Sequence, residues 1–413
     1  MMDRDRLNLL FLSPFPPSPP TFGAQRRVQG LMSALARRHQ VTGVAVVTTD
    51  YDPEIAERAM REYCAQVVLV RTRAREGAVK RLLQLGSLFR RESFVRTLYD
   101  LRALRKELDA LLSARRYDVV TVELPFIART TLARAPPGER RPRLVLDEHN
   151  IEFDLARQQA RNELGAARRV YNAVNWRKIR SEELGVWSRF DGVAFCSETD
   201  RARARALLPT VRSALVPNAV DVEYFRRSPS HPARDGRTLL FFGALNYFPN
   251  EDGVLYFLRE VWPLIEAAHP QARLKIIGQQ PTPEIAARRS PRIEIAGTVD
   301  DLRPHLAGAA VSIVPLRLGG GTRFKILESM AMGTPVVSTT LGAEGIDAEP
   351  DRHLLLGDDA KAFAASVGRV LGDAQLGARL AAEGRALVER SYSWDAAAQA
   401  MEGFYREILA AER

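Results

Sequence analysis

Residues 311–340, VSIVPLRLGGGTRFKILESMAMGTPVVSTT, decide the fold. VSIVPL is a short apolar, β-branched run that reads as a strand, and PVVSTT (335–340) reads as another. Between them three glycines make a turn, and TRFKILESMAM makes a helix. Alternation of strand and helix implies parallel strands with crossover helices. The helix also carries a chemical oddity. Arg323 and Lys325 stand at its front and Glu328 near its middle. Cations there face the positive end of the macrodipole, a mismatch of roughly 0.3–1 kcal/mol each at exposed sites. Stability alone would place Asp, Glu or Ser in that position. A bound anion accounts for the choice. Gly320, Gly321 and Thr322 let backbone amides approach a ligand, and helix-start N–H groups bind anions. Arg323 can fork onto phosphate oxygens, with Lys325 as a point charge. Glu328, one turn deeper, can accept from both hydroxyls of a ribose. The combination suits a nucleoside diphosphate. The alternative is a Lys325–Glu328 surface pair at i,i+3, worth about 0.2–0.5 kcal/mol.

Working outward, the second half repeats the strand pattern at TLLFFGAL (238–245), RLKIIGQ (273–279), IEIAGTV (293–299) and HLLLGD (353–358). The first half has its own series: LNLLFLS (7–13), VTGVAVVTT (41–49), VVLV (67–70), VVTVE (119–123), RLVLDEHN (143–150) and DGVAFCS (191–197). A Pro-, Ser- and Arg-rich linker, 217–237, separates them. At 413 residues the chain is too long for one ordinary core. The expected architecture is α/β: two Rossmann-like doubly wound parallel-sheet domains, 1–219 and 220–390, facing across a cleft. In such sheets ligands sit off the carboxyl ends of the strands. The last segment, 391–413, reads as an amphipathic helix starting at Ser393 or Asp395 and packing back toward the first domain.

Composition excludes several classes. With 46% hydrophobic and 27% charged residues the chain is not mostly disordered. No apolar run approaches the roughly 20 residues of a membrane span. LNLLFL is too short for a typical signal sequence, so the expectation is cytoplasmic. Cys64 and Cys196 are far apart and read as buried free thiols. The net charge of +10 is uneven: residues 1–219 carry 38 Lys and Arg against 25 Asp and Glu, and residues 220–413 carry 22 against 25. A basic first half favours nucleic acid, anionic lipid or phosphorylated substrates, unless it is only a set of solvated helix faces. Its cations are not interleaved with aromatics, which argues against nucleic acid. Residues 71–94 are basic and amphipathic, with Leu82, Leu83, Leu85, Leu88 and Phe89. They could lie on an anionic membrane, peripheral to its cytoplasmic face, or pack on the first domain with the basic face in water. Asp50-Tyr51-Asp52 resembles a metal motif, but Pro53 follows it and a turn with a helix cap explains it. No GxxxxGK[ST] phosphate loop is present.

FFGALNYFPNEDGVLYF (241–257), IIGQQP (276–281), AGTVDDL (296–302) and GGGTRFKILESMAMGTPVVSTTLGAEGI (319–346) resemble family 4 glycosyltransferases of the GT-B fold. SPFPPSPPTFGAQRRVQGLMSALARRHQVT (13–42), LDEHNIE (146–152), FCSETD (195–200) and VPNAVDVEYF (216–225) fit that family's earlier landmarks, in the right order. The resemblance implies a retaining transfer from a nucleotide-diphosphate sugar donor, held mainly by the second domain, to a saccharide or lipid-linked acceptor. No cofactor and no metal are implied, because protein cations neutralise the leaving diphosphate. His149 would face the donor sugar unless it is structural, and Gly23 would bring the first helix start near the diphosphate unless it marks an ordinary turn. Thr298 and Val299, after IEIAG, could present backbone groups to the nucleobase or simply end a strand. Arg26 and Arg27 could reach phosphate or face water. Two departures stand out. The family commonly has two glutamates eight positions apart; the second is Glu328, but the first position is Gly320. The family's Arg and Lys after the first strand of the second domain are missing from GALNYFPNEDG (243–253). Arg323 and Lys325 are expected to take over those contacts. A nucleotide-sugar epimerase on the same scaffold, or a basic binding module, are the rival readings.

Overall fold

The computed structural model describes residues 6–72, 77–98, 101–131, 141–163, 165–320 and 322–411. The chain divides into two compact units, Met1–Pro217 with Ala397–Arg413, and Asn218–Ala396.

The first unit holds a seven-stranded sheet of β1 (Asn8–Ser13), β2 (Gln40–Val47), β3 (Gln66–Arg71), β4 (Val119–Glu123), β5 (Arg143–Glu148), β6 (Gly192–Phe195) and β7 (Ser213–Leu215). Every pairing is parallel, in the order β3-β2-β1-β4-β5-β6-β7. The strands are apolar at nearly every position because helices cover both faces. On one face Leu10, Leu12, Val44, Val46, Val120, Val122, Leu146 and Phe195 join Leu104, Ile127 and Trp187 in one core. Each such side chain stabilises the fold by about 1.5–3 kcal/mol relative to leaving it in water. The other face takes the C-terminal helix, Trp394–Ala410. Its Tyr405 hydroxyl lies 2.6 Å from Thr121 Oγ1 on β4. A Cβ at Gly192 would sit 2.5 Å from the Phe404 ring, so a glycine in β6 is what lets this helix lie down. The helix begins where Ser393 Oγ accepts from the Ala396 amide.

The second unit holds β8 (Thr238–Phe242), β9 (Arg273–Ile277), β10 (Ile293–Gly297), β11 (Val311–Val314), β12 (Val336–Ser338) and β13 (Leu355–Leu356), again all parallel, in the order β10-β9-β8-β11-β12-β13. In both sheets the chain builds outward from a central strand, then returns to that strand's other side. The loops leaving β1 and β4 therefore diverge, as do those leaving β8 and β11. Each reversal opens a crevice at the carboxyl ends of the strands.

Two smaller expectations are settled here. Cys64 and Cys196 are buried free thiols, with burial raising Cys64 to about 12. Asp52 caps the helix Pro53–Arg61, accepting from the Glu54 and Ile55 amides, as a turn-and-cap reading of the Asp-Tyr-Asp run requires.

Candidate active site

At the reversal of the second sheet, the chain leaves β11 through Pro315–Gly320 and enters the helix Phe324–Ala331 with Arg323 as its N-cap residue. No side chain caps this helix, and its first turn holds no acidic residue. Gly321 lies outside the described residues. Gly319 has φ +119, and a Cβ there would fall 2.9 Å from the Arg323 guanidinium. Glycine is needed twice over, for the backbone and for Arg323 to fold back across the turn. Gly320 is half-buried in the same turn. Thr322 is buried; its carbonyl accepts from Asn218 Nδ2 at 3.2 Å and its hydroxyl donates to the Gly345 carbonyl.

Lys325 turns toward β8 and the helix after it. Its Nζ donates to Asn250 Oδ1 at 2.7 Å and sits 4.3 Å from the centre of the Phe241 ring. Phe241 belongs to β8 and Asn250 to the helix Phe248–Tyr256. The ammonium is thus delivered under the loop that begins at Gly243, whose φ is +148 and where a Cβ would come within 3.2 Å of Nζ. That loop has no cation of its own, and Lys325 supplies one from the other side of the reversal. Burial, reinforced by the Arg323 charge, lowers its pKa to about 7. Glu328 is 1% exposed on the same helix. A Lys325–Glu328 surface pair is therefore not what forms. Thr298 and Val299 follow Gly297 (φ +70) off β10, two strands from β8, with Thr298 exposed and Val299 partly packed on the core.

At the reversal of the first sheet, Gly23 opens the helix Gly23–Ala36, which has no side-chain cap and no acid in its first turn. Gln25 ties down the preceding loop, donating to the Pro16 carbonyl and accepting from the Thr21 amide and hydroxyl. Arg27, on the same helix, neither faces water nor reaches outward. It is 1% exposed and forks onto Asp147, with Nε 2.8 Å from Oδ2 and Nη2 2.6 Å from Oδ1. His149, just past β5, has Nε2 2.9 Å from Glu123 Oε2 and 3.6 Å from Asp147 Oδ2. Burial opposes charge on His149, but hydrogen bonds to Asp147 and Glu123 outweigh it and raise its pKa to about 9. Burial, then the Asp147 charge, raises Glu123 to about 7. Asp147 is held below the ordinary carboxylate range despite burial, chiefly by Arg27. His149 is thus an imidazolium at neutral pH, fixed by two carboxylates.

Sequence spacing alone assembles no metal ligands around His149. The pairing of β4 with β5 sets Glu123 opposite Asp147 and makes a three-group set, Glu123, Asp147 and His149, of a size that could hold an ion. The donors do not suit one. Both Asp147 oxygens are already taken by a guanidinium, and a dication would sit against Arg27 and a cationic imidazole. The set reads as a device for orienting His149. Glu123 escapes the sequence reading, which gives Arg27 only phosphate or water to meet. The available signal was that two otherwise apolar buried strands, VVTVE and RLVLDE, both end in acids, which requires a nearby cation.

A family model described as Glycosyltransferase Family 4 matches residues 22–224, and one described as Glycosyl transferases group 1 matches residues 236–373. Between them they take in β8 to β13 and, of the first sheet, β2 to β7. The chain belongs to glycosyltransferase family 4. The chain is 34% identical over 128 residues to the lipopolysaccharide core biosynthesis glycosyltransferase LpsE of Rhizobium meliloti, covering 30% of this chain and 35% of that one. It is 26% identical over 205 residues to the GDP-mannose-dependent monoacylated alpha-(1-6)-phosphatidylinositol monomannoside mannosyltransferase of Corynebacterium glutamicum, covering 44% and 52%. The matched part spans less than two thirds of either relative. Among solved structures, sucrose-phosphate synthase from Thermosynechococcus elongatus superposes with a TM-score of 0.72 at 19% identity, covering 98% of this chain and all of that one. The fold is GT-B.

Beside the His149 cluster the protein buries a second acid group. Glu183 accepts from the Glu152 and Phe153 amides at the start of the helix Glu152–Asn162, and Glu148 accepts from Trp187 Nε1. Burial, then the Glu183 charge and a hydrogen bond with Glu183, raise Glu148 well above its usual range. Burial raises Glu183 to about 8 and Glu152 to about 7. Their folded-state pKa values exceed the unfolded ones, so the native state holds extra protons above about pH 4.5 and stability falls as pH rises toward 8. Each fully differential proton contributes about 1.4 kcal/mol per pH unit. Glu148→Gln keeps an amide donor to Glu183 and does not titrate. Its melting temperature relative to wild type is expected to rise from pH 5 to pH 8; a constant difference would show that Glu148 holds no proton in this range.

Proposed function

We propose that this enzyme moves a hexosyl group from a nucleoside-diphosphate donor to a hydroxyl acceptor, with retention and without a metal ion, in polysaccharide or glycolipid assembly. The observation that carries the reading is Lys325. A lysine at a glycine-fronted helix tip places its ammonium under the neighbouring cation-free loop, while Arg323 crosses the turn and Glu328 lies one turn behind. Two cations and a set of helix-start amides suit a diphosphate, and a buried carboxylate suits the ribose hydroxyls. Stabilising the charge that develops on the leaving diphosphate is worth on the order of 3–4 kcal/mol per key donor. That oxygen can take the acceptor's proton, so no strong protein base is required. On the first unit, burial opposes charge on His149 but the acids Asp147 and Glu123 favour its imidazolium form, a positive charge suited to an anionic substrate. The nucleotide-sugar and glycolipid relatives named above support the donor and acceptor classes.

The test is a thermal-shift panel of nucleoside diphosphates and nucleotide sugars, followed by turnover with the stabilising donor in EDTA. Product formation only with an acceptor, α from α, supports the reading. Conversion of the donor without acceptor would mean an epimerase, and loss of turnover in EDTA would mean a metal enzyme. Glu328→Ala is expected to weaken nucleotide binding about 10–100-fold, the loss of a charge-assisted contact of about 1.5–3 kcal/mol. His149→Ala should lower kcat while leaving nucleotide affinity within about threefold. Titration calorimetry beside steady-state kinetics separates the two, and the reverse pattern would exchange their roles.

A further inference from the structure

The basic segment around residues 82–91 offers a surface that the transfer reaction does not use. Phe89, Leu82, Val170 and Leu85 are 93%, 74%, 65% and 62% exposed, the four most exposed large apolar side chains among the described residues. They lie together. Leu82 and Leu85 are on the helix Gly77–Ser87, Phe89 follows it, and Val170 is on the helix Ala166–Trp187. The two elements are bound to each other. Lys178 Nζ donates to the carbonyls of Ser87, Leu88 and Arg90, and Ser87 Oγ lies 3.3 Å from the Tyr171 hydroxyl. Glu182 accepts from the Ser93 amide and hydroxyl, and Asn175 accepts from the Phe94 amide. The fold thus spends a set of polar contacts to hold leucines and a phenylalanine outward. Packing on the domain with only the basic face in water, one of the two readings the sequence left open, does not describe Leu82, Leu85 or Phe89.

Around these side chains Arg90, Arg91, Arg168, Arg169 and Arg177 are exposed. Residues 82–91 and 165–178 contain no Asp or Glu. We propose that this apolar tip with its arginine collar is a docking surface for an anionic lipid bilayer, the leucines and Phe89 entering the headgroup boundary and the guanidiniums resting on phosphate. Charge decides between occupants. A second copy docking by the same face would stack arginine on arginine, as a twofold contact must. Single-stranded nucleic acid needs stacking platforms, and this surface offers one aromatic tip among aliphatics. An anionic bilayer matches both parts, apolar insertion and a basic rim. Each basic group near such a surface strengthens partition by about fivefold. No helix among the described residues is long and apolar enough to cross a membrane, so the contact is peripheral.

The experiment is flotation of the full chain with vesicles of phosphatidylcholine alone and of phosphatidylcholine with 30% phosphatidylglycerol, in a salt series. Binding to the anionic vesicles, falling with salt and weak on neutral ones, is expected. The triple variant Leu82→Gln, Leu85→Gln, Phe89→Gln should lose at least tenfold in partition while keeping its melting temperature and turnover on a soluble acceptor. Arg90→Glu with Arg91→Glu should lose a similar factor. Absence of anionic-vesicle binding, or unchanged binding by both variants, overturns the proposal. So does a concentration-dependent dimer that the triple variant abolishes, since the occupant is then a second copy. Vesicle binding is read without donor or acceptor, so its failure is distinct from failure of the proposed reaction.

Discussion

Arg27→Met should cost this protein about 3–5 kcal/mol, the usual penalty for leaving a buried charge without its partner. Asp147 is fully buried and gives both oxygens to the guanidinium. Glu123, also fully buried, stands close enough to raise its own pKa through the Asp147 charge. Removing Arg27 leaves two acids and one imidazolium in an apolar layer between β4, β5 and the C-terminal helix. The cheapest escape is protonation of Asp147, whose pKa burial raises once the guanidinium that lowers it is gone, and that protonation still costs free energy at neutral pH because the unfolded carboxyl is ionised there. For a domain of this size the loss corresponds to a fall of roughly 6–20 °C in melting temperature. Adding Asp147→Leu to Arg27→Met removes the stranded charge, and the double variant should recover most of the loss. Near-additive effects of the two changes would show that the pair is not the unit argued here. The double variant that folds should retain nucleotide affinity, since Arg323, Lys325 and Glu328 belong to the second unit.

The contrast between what local sequence reveals and what pairing assembles is plain at this cluster. Arg323, Lys325 and Glu328 fall within six residues, so helical spacing and a glycine turn disclose them. Arg27, Glu123 and Asp147 are far apart in the chain and meet only through the β4–β5 register. Nothing in the spacing of Arg26 and Arg27 tells which one turns inward. The parallel strands were legible because burial on both faces leaves a near-continuous apolar run. One edge strand was not, and another is shorter than its apolar run. Ser213–Leu215 is three residues long and half-exposed, and of HLLLGD only Leu355–Leu356 pairs. At an edge one neighbour is missing, so apolar pattern and length both weaken. Residues 82–91 fail for a different reason. Helical periodicity reports that leucines share a side, not whether the side faces a core or the outside. The destination of Lys325 was equally hidden, since Asn250 lies 75 residues earlier.

That destination makes Lys325 the residue with the largest expected effect on chemistry. Lys325→Met should lower kcat/KM by about 10²–10³, the loss typical of removing one preorganised donor to a developing oxyanion. The geometry predicts a second signature. Without ligand the amine rests on Phe241 and Asn250 with a pKa of about 7, set by burial and by Arg323. A diphosphate brought against it favours the charged form, so binding must take up a proton, about half an equivalent at pH 7 by linkage. Affinity should therefore be flat below pH 7 and fall by up to about tenfold per unit above it, until the pKa of the complex is reached. Calorimetry in buffers of different ionisation enthalpy measures the uptake directly, and the methionine variant should show none from this site. Lys325→Arg is informative in the other direction. It keeps the charge at all pH values, so pH dependence should vanish even if the larger head fits poorly beside Gly243. Wild-type kcat/KM in the methionine variant, with proton uptake intact, would remove Lys325 from the diphosphate site and leave the loop after β8 without the cation its ligand needs.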